Sequence, residues 1–116
     1  MKKSAWPGVA TPRKDDLNVL SLEGDIDLRV SPAVTTSLNE MIAEKPTQLV
    51  VDLSRVTYID SSGVAAFISA MQTVEAYGGK FALAGLQETV RSIFEISRLD
   101  QVFRIFPDVD AALAAA

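Results

Sequence analysis

The sequence predicts one α/β domain, a small, mixed and largely parallel sheet of four or five strands packed with four helices. Three observations carry that prediction. Short apolar runs suited to strands alternate along the chain with longer segments whose apolar residues recur at helical spacing. Ser, Pro and Gly signals punctuate the transitions between them. The length of 116 residues, with 48% hydrophobic and 22% charged, suits one core and lies far from the disordered class. Strands alternating with helices imply right-handed crossovers, which make neighbouring strands parallel.

The elements follow in order. "MKKSAWPG", residues 1–8, has no period and is expected to be a flexible tail, leaving residues 9–116 for the domain. A strand over Val9 to Arg13 would be confined to a sheet edge, because Pro12 has no N–H to give. "LNVLSLEGDID" alternates Leu20 and Leu22 against Ser21 and Glu23 and is expected to stop at Gly24. "SPAVTTSLNEMIAEK" predicts a helix with Ser31 as N-cap, Pro32 at its first helical position and a buried stripe of Val34, Leu38, Met41 and Ile42. "TQLVVDLS" is a nearly unbroken apolar run, as in a central strand covered on both faces. From Ser62 onward Val64, Phe67, Ile68, Met71 and Val74 mark a long helix that Gly78 and Gly79 stop. "KFALAG" predicts another buried strand, and Val90, Ile93 and Phe94 a third helix ending near Arg98. "FRIF" is a last short strand, after which Pro107 and Asp108 open a helix buried through Val109, Ala112 and Leu113.

Composition excludes several kinds of function. A net charge of −4 argues against direct nucleic-acid binding, which needs Lys and Arg to neutralise phosphates. The chain has no cysteine and no histidine, which removes disulfides, the usual zinc sites and every Ser-His or Cys-His nucleophile pair. Lys2 and Lys3 are not followed by the apolar run of a signal peptide, and no stretch approaches the roughly 18 apolar residues of a membrane span. A cytoplasmic protein without a membrane partner is therefore expected. Asp25 and Asp27 lack a third oxygen cluster, and Gly78 to Lys80 lacks phosphate-loop spacing. Neither a metal nor a cofactor is expected.

One stretch remains unexplained by packing. "YIDSSGVAAF", residues 58–67, places Asp60, Ser61, Ser62 and Gly63 where a strand gives way to a helix. The plain reading is a helix N-terminus, where a side-chain oxygen accepts an otherwise unpaired backbone N–H. The other reading gives a hydroxyl the function. Open α/β sheets keep their sites at the carboxyl ends of strands, and a helix N-terminus tolerates a phosphate.

The segment "LVVDLSRVTYIDSSGVAAFISAMQTVEAYGGKFALAG" closely resembles the STAS domain of bacterial anti-sigma factor antagonists. "EGDID", residues 23–27, is similar to that family's G-E-L-D turn, and "VRSIFEISRLDQVFRIFPDVDAAL" to its C-terminal helix, strand and helix. The resemblance runs from about Leu17 to Ala114. It implies a partner-switching phosphoprotein that is not an enzyme. Unphosphorylated, such a protein binds an anti-sigma factor that is also a serine kinase; phosphorylation ends the binding, and a serine phosphatase restores it. The family's phosphoserine carries over to Ser61, and its contact aspartate to Asp27. Asp60, Ser62 and Gly63 match the remaining partner-binding positions, with Ser62 expected mainly as a cap and Gly63 as the point where a partner's backbone comes close. The exposed side of that helix, Ala65, Ser69 and Gln72, would face the partner.

Two rivals stand beside this reading. A STAS subunit of an ABC-type lipid transport system would grip its ATPase with the same helix and need no phosphorylation. A small hydrolase using Ser61 or Ser62 would have neither a histidine nor a G-x-S-x-G elbow.

Overall fold

Strand β1 runs from Val19 to Ile26, helix α1 from Ser31 to Ile42, strand β2 from Gln48 to Ile59 and helix α2 from Ser61 to Ala76. Strand β3 (Lys80–Ala84), helix α3 (Glu88–Ile96), a single 3-10 turn (Leu99–Gln101), strand β4 (Arg104–Phe106) and helix α4 (Val109–Ala114) complete the chain. These assignments come from a computed structural model, which describes residues 18–115. The expected tail and the strand over residues 9–13 lie outside the described residues. Among the described residues the four strands form one sheet in the order β1-β2-β3-β4, every neighbouring pair parallel.

Alternation along β2 divides the interior. Leu49, Val51 and Leu53 point into a large core shared with Leu38 of α1, Phe67 of α2 and Phe94 of α3. Val50 points to the opposite face, where Val19, Ala82 and Ala84 are covered by Ala112 of α4. That two-sided burial is why the run was almost continuously apolar. Gln48, buried at the start of β2, donates from Nε2 to the Ala112 carbonyl at 2.9 Å and so ties α4 to the sheet.

Three local expectations are corrected. Gly24, at φ 81°, does not end β1, which continues through two register shifts, at Ser21/Glu23 and Gly24/Asp25, to Ile26. At each shift the extra residue lies in β2, the bulged strand, and the pairing with β1 resumes beyond it. Strand β2 is likewise longer than its apolar run, since Val56 and Ile59 stay buried between the exposed Ser54, Arg55, Thr57 and Tyr58. Ser31 is the first helical residue of α1 and not its N-cap. Val30 occupies the cap position and makes no side-chain cap bond. The Val30 and Ser31 N–H groups instead donate to the Asp27 carbonyl at 3.0 and 2.8 Å. Gly78, at φ 91°, stops α2 as its sequence position required.

Candidate functional site

Where β2 ends, Asp60 takes an extended conformation and turns its carboxylate back over the first turn of α2. Its Oδ1 accepts from the Ser62 N–H at 2.9 Å, the Gly63 N–H at 3.3 Å and the Ser62 hydroxyl at 2.6 Å. Asp60 is therefore the N-cap, and Ser62, expected as the cap, is a donor to it. The Ser62 hydroxyl bond, opposed by burial and helped by the N–H groups of Gly63, Ser62 and Leu28, holds the Asp60 carboxyl below the ordinary 3.8. Leu28 belongs to the β1–α1 loop, so that loop also favours the ionised carboxylate. The Asp60 N–H, donating to the Ile26 carbonyl at 3.1 Å, makes a second link to that strand end.

Ser61 follows as the first residue of the helix. It is exposed, and among the described residues no hydrogen bond engages its hydroxyl. Ser62 is half-buried and committed to Asp60. Gly63 is buried, and a Cβ built there would lie 2.8 Å from Ile26 Cγ2 and 2.8 Å from Ile59 Cγ1. The close approach it permits within the chain is to its own strands, where it lets the helix sit tightly on β1 and β2.

Asp27 sits at the end of β1, on the same edge of the sheet. Its Oδ1 accepts from the Arg29 N–H at 3.0 Å, and its Oδ2 from Arg29 Nε and Nη2 at 3.3 and 3.0 Å. The Arg29 side-chain hydrogen bond, with burial opposing it, keeps the carboxyl below its ordinary range. Asp27 is thus a paired carboxylate whose guanidinium partner is itself exposed. The exposed helix side expected to face a partner is present, as Ala65, Ser69 and Gln72 are all at the surface.

The structure adds a feature that the motif did not contain. An open groove of about 500 Å³ runs beside Ser61, with Tyr58, Ser61 and Val64 on one side and Ile93, Ser97 and Leu99 on the other. Its lining is apolar except for Asp60 and the two serines. Ile93 was legible as part of an amphipathic helix, but nothing in the spacing of Ser97 and Leu99 announced that they would face residues some 36 positions earlier. Among the described residues no cluster of acidic side chains could hold a metal ion, and no helix is long and apolar enough to cross a membrane.

The STAS domain family model matches residues 9–112, and the chain belongs to that family. Its curated relatives include anti-sigma factor antagonists. The chain is 32% identical over 95 residues to anti-sigma-F factor antagonist RsfB of Mycobacterium tuberculosis, a match that covers 82% of this chain and 77% of that one. With the anti-sigma-B factor antagonist of Bacillus subtilis it shares 29% identity over 92 residues, 79% of this chain and 83% of the other. The crystal structure of an anti-sigma factor antagonist from Mycobacterium paratuberculosis matches with a TM-score of 0.77 at 29% identity, over 84% of this chain and 82% of that one.

Proposed function

We propose that this protein is an anti-sigma factor antagonist, that it binds an anti-sigma factor serine kinase while unphosphorylated, and that phosphorylation of Ser61 ends the complex. The observation that carries the reading is the division of labour between the two serines. Ser62 is held by Asp60, whereas Ser61 stands exposed at the first helical position with its hydroxyl unengaged among the described residues. In the transfer, Ser61 Oγ attacks the γ-phosphorus of ATP and the new O–P bond forms as the bond to the bridging β-phosphate oxygen breaks. ADP leaves, and the hydroxyl proton passes to a base of the kinase. A serine phosphatase reverses the state by hydrolysing the phosphoester. The chain is a substrate in both reactions and an enzyme in neither.

Phosphoserine adds about −1.5 to −2 charge, and it does so beside the ionised Asp60. Nucleotide phosphates retained by the kinase would face that dianion, and like charges across an interface cost several kcal/mol. A change from 99% bound to 99% free needs about 5.5 kcal/mol. Repulsion together with steric blockage is of that order. Asp27 contributes as a carboxylate already shared with Arg29, so the partner would meet the pair and not a bare charge.

The test is incubation with ATP and candidate kinases, followed by intact mass and peptide mapping. One phosphate at Ser61 is expected. Ser61→Ala should accept none and remain bound to the kinase, while Ser61→Asp should bind more than about tenfold more weakly, or 1.4 kcal/mol. Phosphate on Ser62, or Ser61→Asp binding like wild type, would sink the assignment. Absence of phosphate with every candidate would favour the transport-ATPase rival.

A further inference from the structure

Exposed apolar surface gathers on both sides of Ser61. On one side lies the groove, whose wall of Ile93, Ser97 and Leu99 comes from α3 and the turn after it. Tyr58, on the wall that carries Ser61, keeps 46% of its surface exposed, and Ile96, one helical turn beyond Ile93, keeps 84%. On the other side is Leu28 of the β1–α1 loop, 72% exposed, whose N–H favours the Asp60 carboxylate. The topology sets this arrangement, since β1 and β3 flank β2 in the sheet and the elements that follow each of them stand on either side of the end of β2. Single exposed apolar side chains are ordinary; several gathered around one point mark a surface that a partner covers.

We infer that the groove seats an apolar side chain of the kinase, a leucine, methionine or phenylalanine that anchors the unphosphorylated complex and makes the α3 wall part of the recognition surface. This use of the groove rests on Ser61 being the residue that the kinase engages. What commits the groove to the kinase is that Ser61 is itself a lining residue, so a protein that brings the γ-phosphate of ATP to Ser61 Oγ has its own surface over the groove. Val64, Ile93 and Leu99 are only half-buried, and an apolar side chain placed between the walls would remove their remaining surface from water. Side chains that fill pockets in this way carry most of the affinity of an interface. Charge agrees with that choice of occupant. Asp60 is the one charged lining residue, and as a carboxylate it would repel an acidic side chain and admit an apolar one. A phosphate on Ser61 would stand in the same lining, and since a charge is costly to strip of water, the hydrated dianion would displace the anchor. Modification would then remove the seat as well as add charge.

The kinase identified by phosphate on Ser61 supplies the test, through steady-state phosphorylation of three variants. Ser97→Trp fills the groove from its exposed wall, and Tyr58→Ser strips the opposite wall. Both should raise KM about tenfold or more with kcat nearly unchanged, the pattern of lost docking around intact reacting atoms. Glu40→Trp, on the exposed side of α1, should match wild type. Ser97 is exposed and Tyr58 nearly half exposed, so chemical denaturation should give both variants a midpoint close to that of wild type; should one fail to fold, the other decides. A wild-type KM in the folded variants would overturn the inference, as would an equal rise in Glu40→Trp or a fall in kcat at unchanged KM. A wild-type dimer that Ser97→Trp dissociates would assign the groove to a second copy and overturn it too. Failure of every kinase to modify Ser61 would instead remove the proposed function and this anchor with it, a result distinct from phosphorylation at an unaltered KM.

Discussion

At the scale of single residues, Asp60 is the hinge of the site, since one carboxylate caps α2, holds Ser62 and faces the Leu28 N–H of another loop. Its pKa is lower in the folded chain than in the unfolded one, so its contribution is fully present above the ordinary value of 3.8 and is lost as pH falls through the folded value. Asp60→Ala should cost about 1 kcal/mol at pH 7, as loss of an N-cap does, and thermal melts should show the gap to wild type narrowing only as pH falls below the ordinary value of 3.8. A gap independent of pH would mean that the carboxylate's charge is not what caps the helix. Gly63 acts from the inside of the same turn. An added methyl would press on the stiff β-branched stems of Ile26 and Ile59 at 2.8 Å. Such overpacking costs about 1–3 kcal/mol, of which alanine's better helix propensity returns at most about 1. A lowered denaturation midpoint for Gly63→Ala is therefore expected, and an unchanged one would show that the helix can lift from the strands.

At the scale of elements, α2 connects the site to the core. Phe67 is fully buried, as are the Val74 side chain two turns further along and Leu49 and Leu53 in the same core. Phe67→Ala should lower stability by about 3–5 kcal/mol, measured by chemical denaturation; an unchanged midpoint would place the stripe outward. The apolar periods of α1, α2 and α3 and the β2 run were legible because burial of one face writes itself into spacing. Val64 and Ile68, read as part of the same stripe, are only half-buried, since the helix end beside the groove is open. Bounds set by backbone bonds were harder to read. The Asp27 carbonyl serves the start of α1 without any side-chain signal, which is why Ser31 looked like a cap. Serine at 61, 62 and aspartate at 60 can all cap a helix, so sequence alone did not choose among them; the extended backbone of Asp60 does. The groove was invisible for a different reason, being made by α2 and the α3 turn meeting across the sheet's edge.

For the whole molecule, the question is whether a phosphate acts by refolding the domain or by repainting its surface. The described chain has a radius of gyration of 12.8 Å, close to the roughly 13 Å of a fully compact domain of about 100 residues. Cores lie on both faces of the sheet, and α2, which carries Ser61, is anchored in the larger one through Phe67, Ala70 and Val74. The modified position itself favours the folded state, because negative charge in the first turn of a helix stabilises it by about 0.3–1 kcal/mol, which repulsion from Asp60 roughly offsets. Switching should therefore be a surface event. Ser61→Asp is expected to melt within about 1 kcal/mol of wild type while losing its partner, and its amide NMR shifts should change only around Asp60, the Leu28 loop and the groove wall at Ser97 and Leu99. Shift changes spreading to Leu38, Val50 or Ala112, on the far helix and both faces of the sheet, would show that the charge reorganises the fold and that electrostatic blockade is the wrong mechanism.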